Sequence, residues 1–211
     1  KDAAGRVQGF ANLTTVAESA TDLLPDKGAA KALVEEMLSG WEQRLDAADQ
    51  KTAYDFSKLA SVKGRLLGDK EAAAAALDRA GGLGGDHFAF ADLSRVAGEL
   101  GLDDRVEDLL GKAMSACGNA VQARQLASRL LASGFGVAEV REVYTGLKSA
   151  LSGTGEQLQW ADGIIDLFGD RAWAAQEYDG LAASAQGSAL AAVQQHRARR
   201  AAATVLGAEP A

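Results

Sequence analysis

The strongest constraint on this chain is a helix-breaking corner that returns at a nearly fixed interval. The stretch "LLGDKEAAAAALDRA" at 66–80 ends one helix-forming segment, turns on Gly68-Asp69 and starts another. "LLPDKGAAKALVEEM" does the same at Pro25-Asp26 and "DLFGDRAWAAQEYDGL" at Gly169-Asp170, while Gly101-Leu102-Asp103 repeats it with a slip of one or two residues. Glycine lets a helix end in a left-handed turn, and Asp caps the next helix by accepting from its unpaired N–H groups. In "LLASGFGVAEVREVY" Gly136 stands where the other corners have Asp, which predicts the weakest cap. Aligned on Leu59-Ala60, the equivalent pairs are Val16-Ala17, Leu93-Ser94, Leu126-Ala127 and Trp160-Ala161, at intervals of 43, 34, 33 and 34 residues. The long first interval is taken up by a longer helix through "VEEMLSGWEQRLDAADQ". A fixed period of this kind is the mark of stacked supersecondary units.

The register continues into the second helix of each unit. Ala73, Val106 and Ala174 are followed four residues on by Leu77, Leu110 and Tyr178, and three further by Ala80, Ala113 and Leu181. Steps of four and three put these side chains on one face, the face that packs on the first helix of the pair. Leu158, Ala161, Ile164, Ile165 and Phe168 draw the same stripe on a first helix. With 24 glycines but only two prolines, the breaks fall to Gly and Asp. No stretch alternates with a two-residue period, so sheet is not expected. At 211 residues and 47% apolar content, the chain is long enough to bury roughly 70% of its unfolded surface as one domain.

The letters "LASVKGRLLGDKEAAAAALDRA" and "WADGIIDLFGDRAWAAQEYDGLA" carry a Leu/Trp-Ala pair, a Gly-Asp corner, then Ala, Tyr/Leu and Ala/Leu. In this the chain resembles the tetratricopeptide repeat family over roughly residues 13–186. It departs from that family in a first helix about one residue longer, in lacking the proline between units, and in having Ala where the family mostly has Gly. The resemblance implies an all-α, right-handed superhelical solenoid of about five antiparallel helix pairs, with a closing helix near 187–206 and a tail at 207–211, all within one domain, 1–211. It also implies a concave groove lined by first helices that holds a peptide or partner domain. Transferred position by position, the groove residues are Tyr54, Ser61, Arg65, Arg95, Glu99, Arg124, Ser128 and Asp162. One extra helical residue would rotate such assignments by about 100°.

Residues that carry chemistry are sparse. The formal charge of −7 argues against binding driven by phosphate neutralisation, whether to nucleic acid or to anionic lipid. The single cysteine, Cys117, sits among small and apolar residues of a predicted helix and reads as a buried structural thiol. His87 follows a capping Asp86 and is expected at an exposed helix start. No His or Cys pair has zinc spacing, so no metal centre is expected. "AGGLGGD" at 80–86 lacks the spacing and the Lys of a phosphate loop and reads as an inter-unit corner. In "LSGTGEQ", Thr154 and Gln157 predict a capping box. Asp103, Asp104, Glu107 and Asp108 fall where a helix N-terminus favours negative charge. No nucleophile elbow occurs. Asn12-Leu13-Thr14 fits a glycosylation sequon, a short match that the bacterial character of the composition discounts.

The C-terminal "AAVQQHRARRAAATVLG" concentrates His196, Arg197, Arg199 and Arg200 in an otherwise acidic chain. It reads first as a capping helix with a solvated polar face, then as a patch for an acidic partner, and last as a nucleic-acid contact. No stretch is apolar enough for a membrane span, "KDAAGRVQGF" has no signal-peptide core, and the cytoplasm is the default compartment. The expected function is a non-catalytic adaptor or scaffold, without cofactor or metal, holding a peptide or helix of another protein. The alternative is a structural subunit that self-assembles or packs in a larger complex through Ala-rich second helices such as "EAAAAALDRA".

Overall fold

A computed structural model describes residues 15, 17–19, 21–22 and 25–205. The sequon at 12–14, Val16 of the first aligned pair and the tail at 207–211 lie outside them. Among the described residues the fold is all-α, without a strand. Helical residues between 15 and 22 precede α1 (Lys27–Ala47), whose 21 residues account for the long first interval. There follow α2 (Ala53–Arg65), α3 (Lys70–Gly82), α4 (His87–Glu99), α5 (Asp103–Ser115), α6 (Ala120–Ala132) and α7 (Val137–Leu147). A single 3-10 turn at Lys148–Ala150 leads to α8 (Thr154–Phe168), α9 (Arg171–Ser184) and α10 (Ser188–Val205).

The corners form as their residues dictate. Gly68 and Gly169 take φ of 70° and 64°, a region that costs other L-residues energy. The next residue then caps: Asp69 accepts from Ala72 N and Asp170 from Trp173 N, both at 2.9 Å. Asp26 and Asp86 cap α1 and α4 in the same way. Asp103 and Asp104 lie in the first turn of α5, and Gly136 leaves α7 without a side-chain cap. Two local expectations fail. Thr154 is not a cap but the first helical residue, because the left-handed Gly153 (φ 85°) takes the cap position and carries no side chain to bond. A reciprocal capping box forms instead at Thr52 and Asp55, with N···O distances of 3.1 and 3.2 Å. His87 is not exposed: it retains 5% of its surface, because α4 packs against both α2 and α3 and its first turn is covered.

The chain divides into two compact units, with the division between Ala113 and Met114. In the first, α3 packs on α2, and α4 on both. Ser94 Oγ of α4 donates to the Val106 carbonyl of α5 at 3.4 Å. In the second, α7 and α8 pack on α6, α9 on α8, and α10 on both α8 and α9. Each unit thus stacks neighbouring helix pairs in chain order. The aligned pairs are the centres of these contacts: Leu59-Ala60, Leu93-Ser94, Leu126-Ala127 and Trp160-Ala161 are all buried, as is Ala17. So are Ala73, Leu77, Ala80, Leu110, Ala113, Ala174, Tyr178 and Leu181 of the second helices, with Val106 half-buried.

Candidate functional site

Helix α8 has two faces with different tasks. Its apolar stripe anchors the second unit: Trp160 stacks on Tyr144 of α7 at 5.2 Å between ring centroids and 11° between planes. Two hydrogen bonds lock the pair, Trp160 Nε1 donating to the Tyr144 carbonyl at 3.0 Å and the Tyr144 hydroxyl donating to the Trp160 carbonyl at 2.9 Å. Phe168 and Trp173 meet this pair edge-on, at 5.7 and 5.9 Å. With Tyr144 so fixed, only glycine fits opposite it, and Gly163 of α8 fills that place; a Cβ there would run into the Tyr144 hydroxyl. Burial pushes the Tyr144 phenol well above its ordinary range. The ring is therefore neutral and structural.

The other face of α8 carries Asp162 and Asp166, one turn apart. Asp162 is a shared acceptor, taking bonds from the Tyr178 hydroxyl of α9, from His196 Nε2 at 2.9 Å and from Arg200 Nε at 3.0 Å. Burial alone would raise the Asp162 carboxyl, but the bonds from His196, Tyr178 and Arg200 outweigh it and hold the acid below its ordinary value. The Tyr178 phenol is pushed up, first by burial and then by the adjacent Asp162. For Arg200, burial opposes the charge, yet Asp162 and Asp166 more than reverse this and keep the guanidinium charged. Asp166 joins two helices to α8, accepting from Arg124 Nη1 of α6 at 2.9 Å and from Arg200 Nη2 of α10 at 3.4 Å. Between them lies an open hollow of about 430 Å³ lined by Ala120, Val121, Arg124, Gln159, Asp162, Asp166 and Arg200.

Of the residues expected in a groove, the structure brings Arg124 and Asp162 together at this hollow. In the first unit it gathers Arg65, Arg95 and Glu99: both arginines pair with the one carboxylate. Tyr54 is exposed, with Lys58 Nζ 5.1 Å from its ring centroid; Ser61 is half-buried and Ser128 exposed, and none of these three joins either cluster. The basic stretch is divided by its partners. His196 and Arg200 face the acids of α8, Arg197 pairs with Asp179 of α9 at 2.6 Å, and Arg199 is exposed. Asp166, Tyr178 and Gln159 complete the site beyond the residues expected there.

Other candidates hold little chemistry. Cys117 is buried, and burial pushes its thiol up to about 11. Among the described residues no cluster of His, Cys, Asp and Glu is placed to hold a metal ion, and no helix is long and apolar enough to cross a membrane. In comparisons with known proteins, no family, no curated sequence and no solved structure shows significant similarity to the chain.

Proposed function

We propose that the protein is a non-catalytic binding scaffold of tetratricopeptide-like helix pairs, whose first helices receive a peptide or helix of another protein. The observation that carries this reading is the hollow on α6, α8 and α10, where Arg124, Arg200, Asp162 and Asp166 meet around about 430 Å³ of open space. A concave site with a few converging polar groups fits ligand capture, and charges of both signs suit a polypeptide segment. Its acids are engaged by arginines, and the Tyr178 phenol bonded to Asp162 is held protonated, which offers the hollow no poised general base. Self-assembly through second helices draws less support: Ala73, Ala76 and Ala80 of "EAAAAALDRA" are buried within their own unit.

Site-specific photo-cross-linking tests the reading. A photoreactive residue at Gln159, on the hollow, is expected to trap a partner protein in cells, whereas one at the exposed Gln176 of α9 is not. Adducts from Gln176 alone would move the binding face to the second helices, and self-adducts would favour assembly. Turnover of a small molecule by purified protein would overturn the non-catalytic reading.

A further inference from the structure

Helix α10 sits in its place on terms unlike those of any other helix in the second unit. Of its residues Ser188–Ala201, Val193 alone is fully buried. The neighbouring α8 buries Leu158, Trp160, Ala161, Gly163 and Ile164. Among its described side chains, the bonds that tie α10 to α8 and α9 are polar: His196 and Arg200 on Asp162, Arg200 on Asp166, and Arg197 on Asp179. Ion pairs near the surface are weak and salt-sensitive, and elements with few buried apolar contacts are the first to open.

From this we infer that α10 is a displaceable plug, and that its seat on α8 and α9 is a docking site for a basic amphipathic helix of a partner protein. The seat specifies its occupant. It buries one apolar side chain, that of Val193, and presents three carboxylates, Asp162, Asp166 and Asp179. A matching helix carries a branched apolar residue with a hydrogen-bond donor three positions later and a cation seven positions later, the spacing of Val193, His196 and Arg200. When α10 leaves, Arg200 leaves the hollow with it, and the balance of charge there shifts from Arg124 and Arg200 against two acids to Arg124 alone against the same two. The exposed surface then turns acidic and attracts a basic helix. The inference deepens the binding reading by naming the partner's chemistry and the device that regulates access. Exchange of the plug is measured independently of whether Gln159 traps a cellular partner.

The test uses the full chain and a fluorescent synthetic peptide of residues 188–205. In the intact protein the tethered α10 competes at high effective concentration. The peptide is therefore expected to bind a full-length His196→Ala/Arg200→Ala protein at least tenfold more tightly than the wild type, with affinity falling as salt rises. A peptide bearing Arg200→Glu should bind at least tenfold more weakly. In the wild type, α10 amides should exchange hydrogen at least tenfold faster than those of α8 and α9. Equal peptide affinity for both proteins, no binding to the double variant, or α10 amides as protected as those of α8 would overturn the inference. A dimer exchanging α10 between copies would give the seat to a second copy instead of a partner.

Discussion

The α2–α3 contact, within a helix pair of the first unit, and the α7–α8 contact, between successive pairs of the second, are built from opposite materials. Between α2 and α3 the working residues are small: Ala60, Ala73, Ala76 and Ala80 accompany Phe56, Leu59, Val62 and Leu77, all buried. Small side chains let two backbones approach and distribute the contact over many weak pairs. At α7–α8 the weight rests on Tyr144 and Trp160, stacked and doubly hydrogen-bonded, with a glycine cut to fit. Within a pair and between pairs, the repeat thus draws on different residues to close its contacts. The aromatic solution concentrates stability in few residues, and single changes there should cost more.

Replacing Trp160 by Ala should cost most, about 3–5 kcal/mol, against about 2–5 kcal/mol for Leu59→Ala at the small-residue contact. Amide exchange in α6–α9 for the first variant and α2–α4 for the second measures both. Equal costs would erase the distinction between the two contacts. Next come the close-fitting glycines. Gly163→Ala should destabilise by about 1–3 kcal/mol, since a ring locked by stacking cannot yield. Gly64→Ala meets the branched end of the buried Leu100, and the helix gains up to about 1 kcal/mol from losing a glycine, which offsets much of that crowding. Its net effect should lie within about 1 kcal/mol of zero, as denaturant titration can show.

The polar contacts of α8 yield smaller effects. Asp162 is held below its ordinary value of 3.8, so its bonds stabilise the folded state fully above that value. They are lost as pH falls through the depressed folded value. With Asp162 partly exposed, the contribution is at most about 1 kcal/mol after solvent screening. It should be visible as faster α10 amide exchange below pH 3.8, absent in Asp162→Asn. Smallest is the gain from Gly136→Asp at the bare cap of α7. Backbone angles of −64° and 141° suit any residue there, and the added cap should raise stability by a few tenths of a kcal/mol in thermal unfolding.

The helix pairs were legible because each corner spells its own chemistry. Gly68-Asp69 and Gly169-Asp170 encode a left-handed stop and a cap within two residues, and Leu59-Ala60 or Trp160-Ala161 reappear one period apart as buried centres. Boundaries that depend on backbone angle were not legible, so Thr154 passed for a cap until Gly153 took the position. Burial of His87 was equally hidden, since it depends on how α4 meets α2 and α3. The candidate site lay between these cases. Along one helix, Asp162 and the donors His196 and Arg200 of α10 look like separate features; at one period's distance they are a single one. Asp162 and His196, Asp166 and Arg200, and Arg65 and Glu99 are each 34 residues apart and each paired. Acids and their hydrogen-bond donors separated by the repeat length were the available signal. The hollow itself depends on side-chain reach across three helices, which no spacing encodes.

The lone cysteine gives the second unit a built-in stopwatch. Cys117 belongs to the 114–211 unit, and a thiol raised to about 11 is almost wholly unreactive toward alkylating agents near neutral pH until its surroundings part. The alkylation rate of the unmodified chain would therefore clock openings around Cys117 with no engineered label, each modified molecule recording an excursion too brief for equilibrium methods to catch.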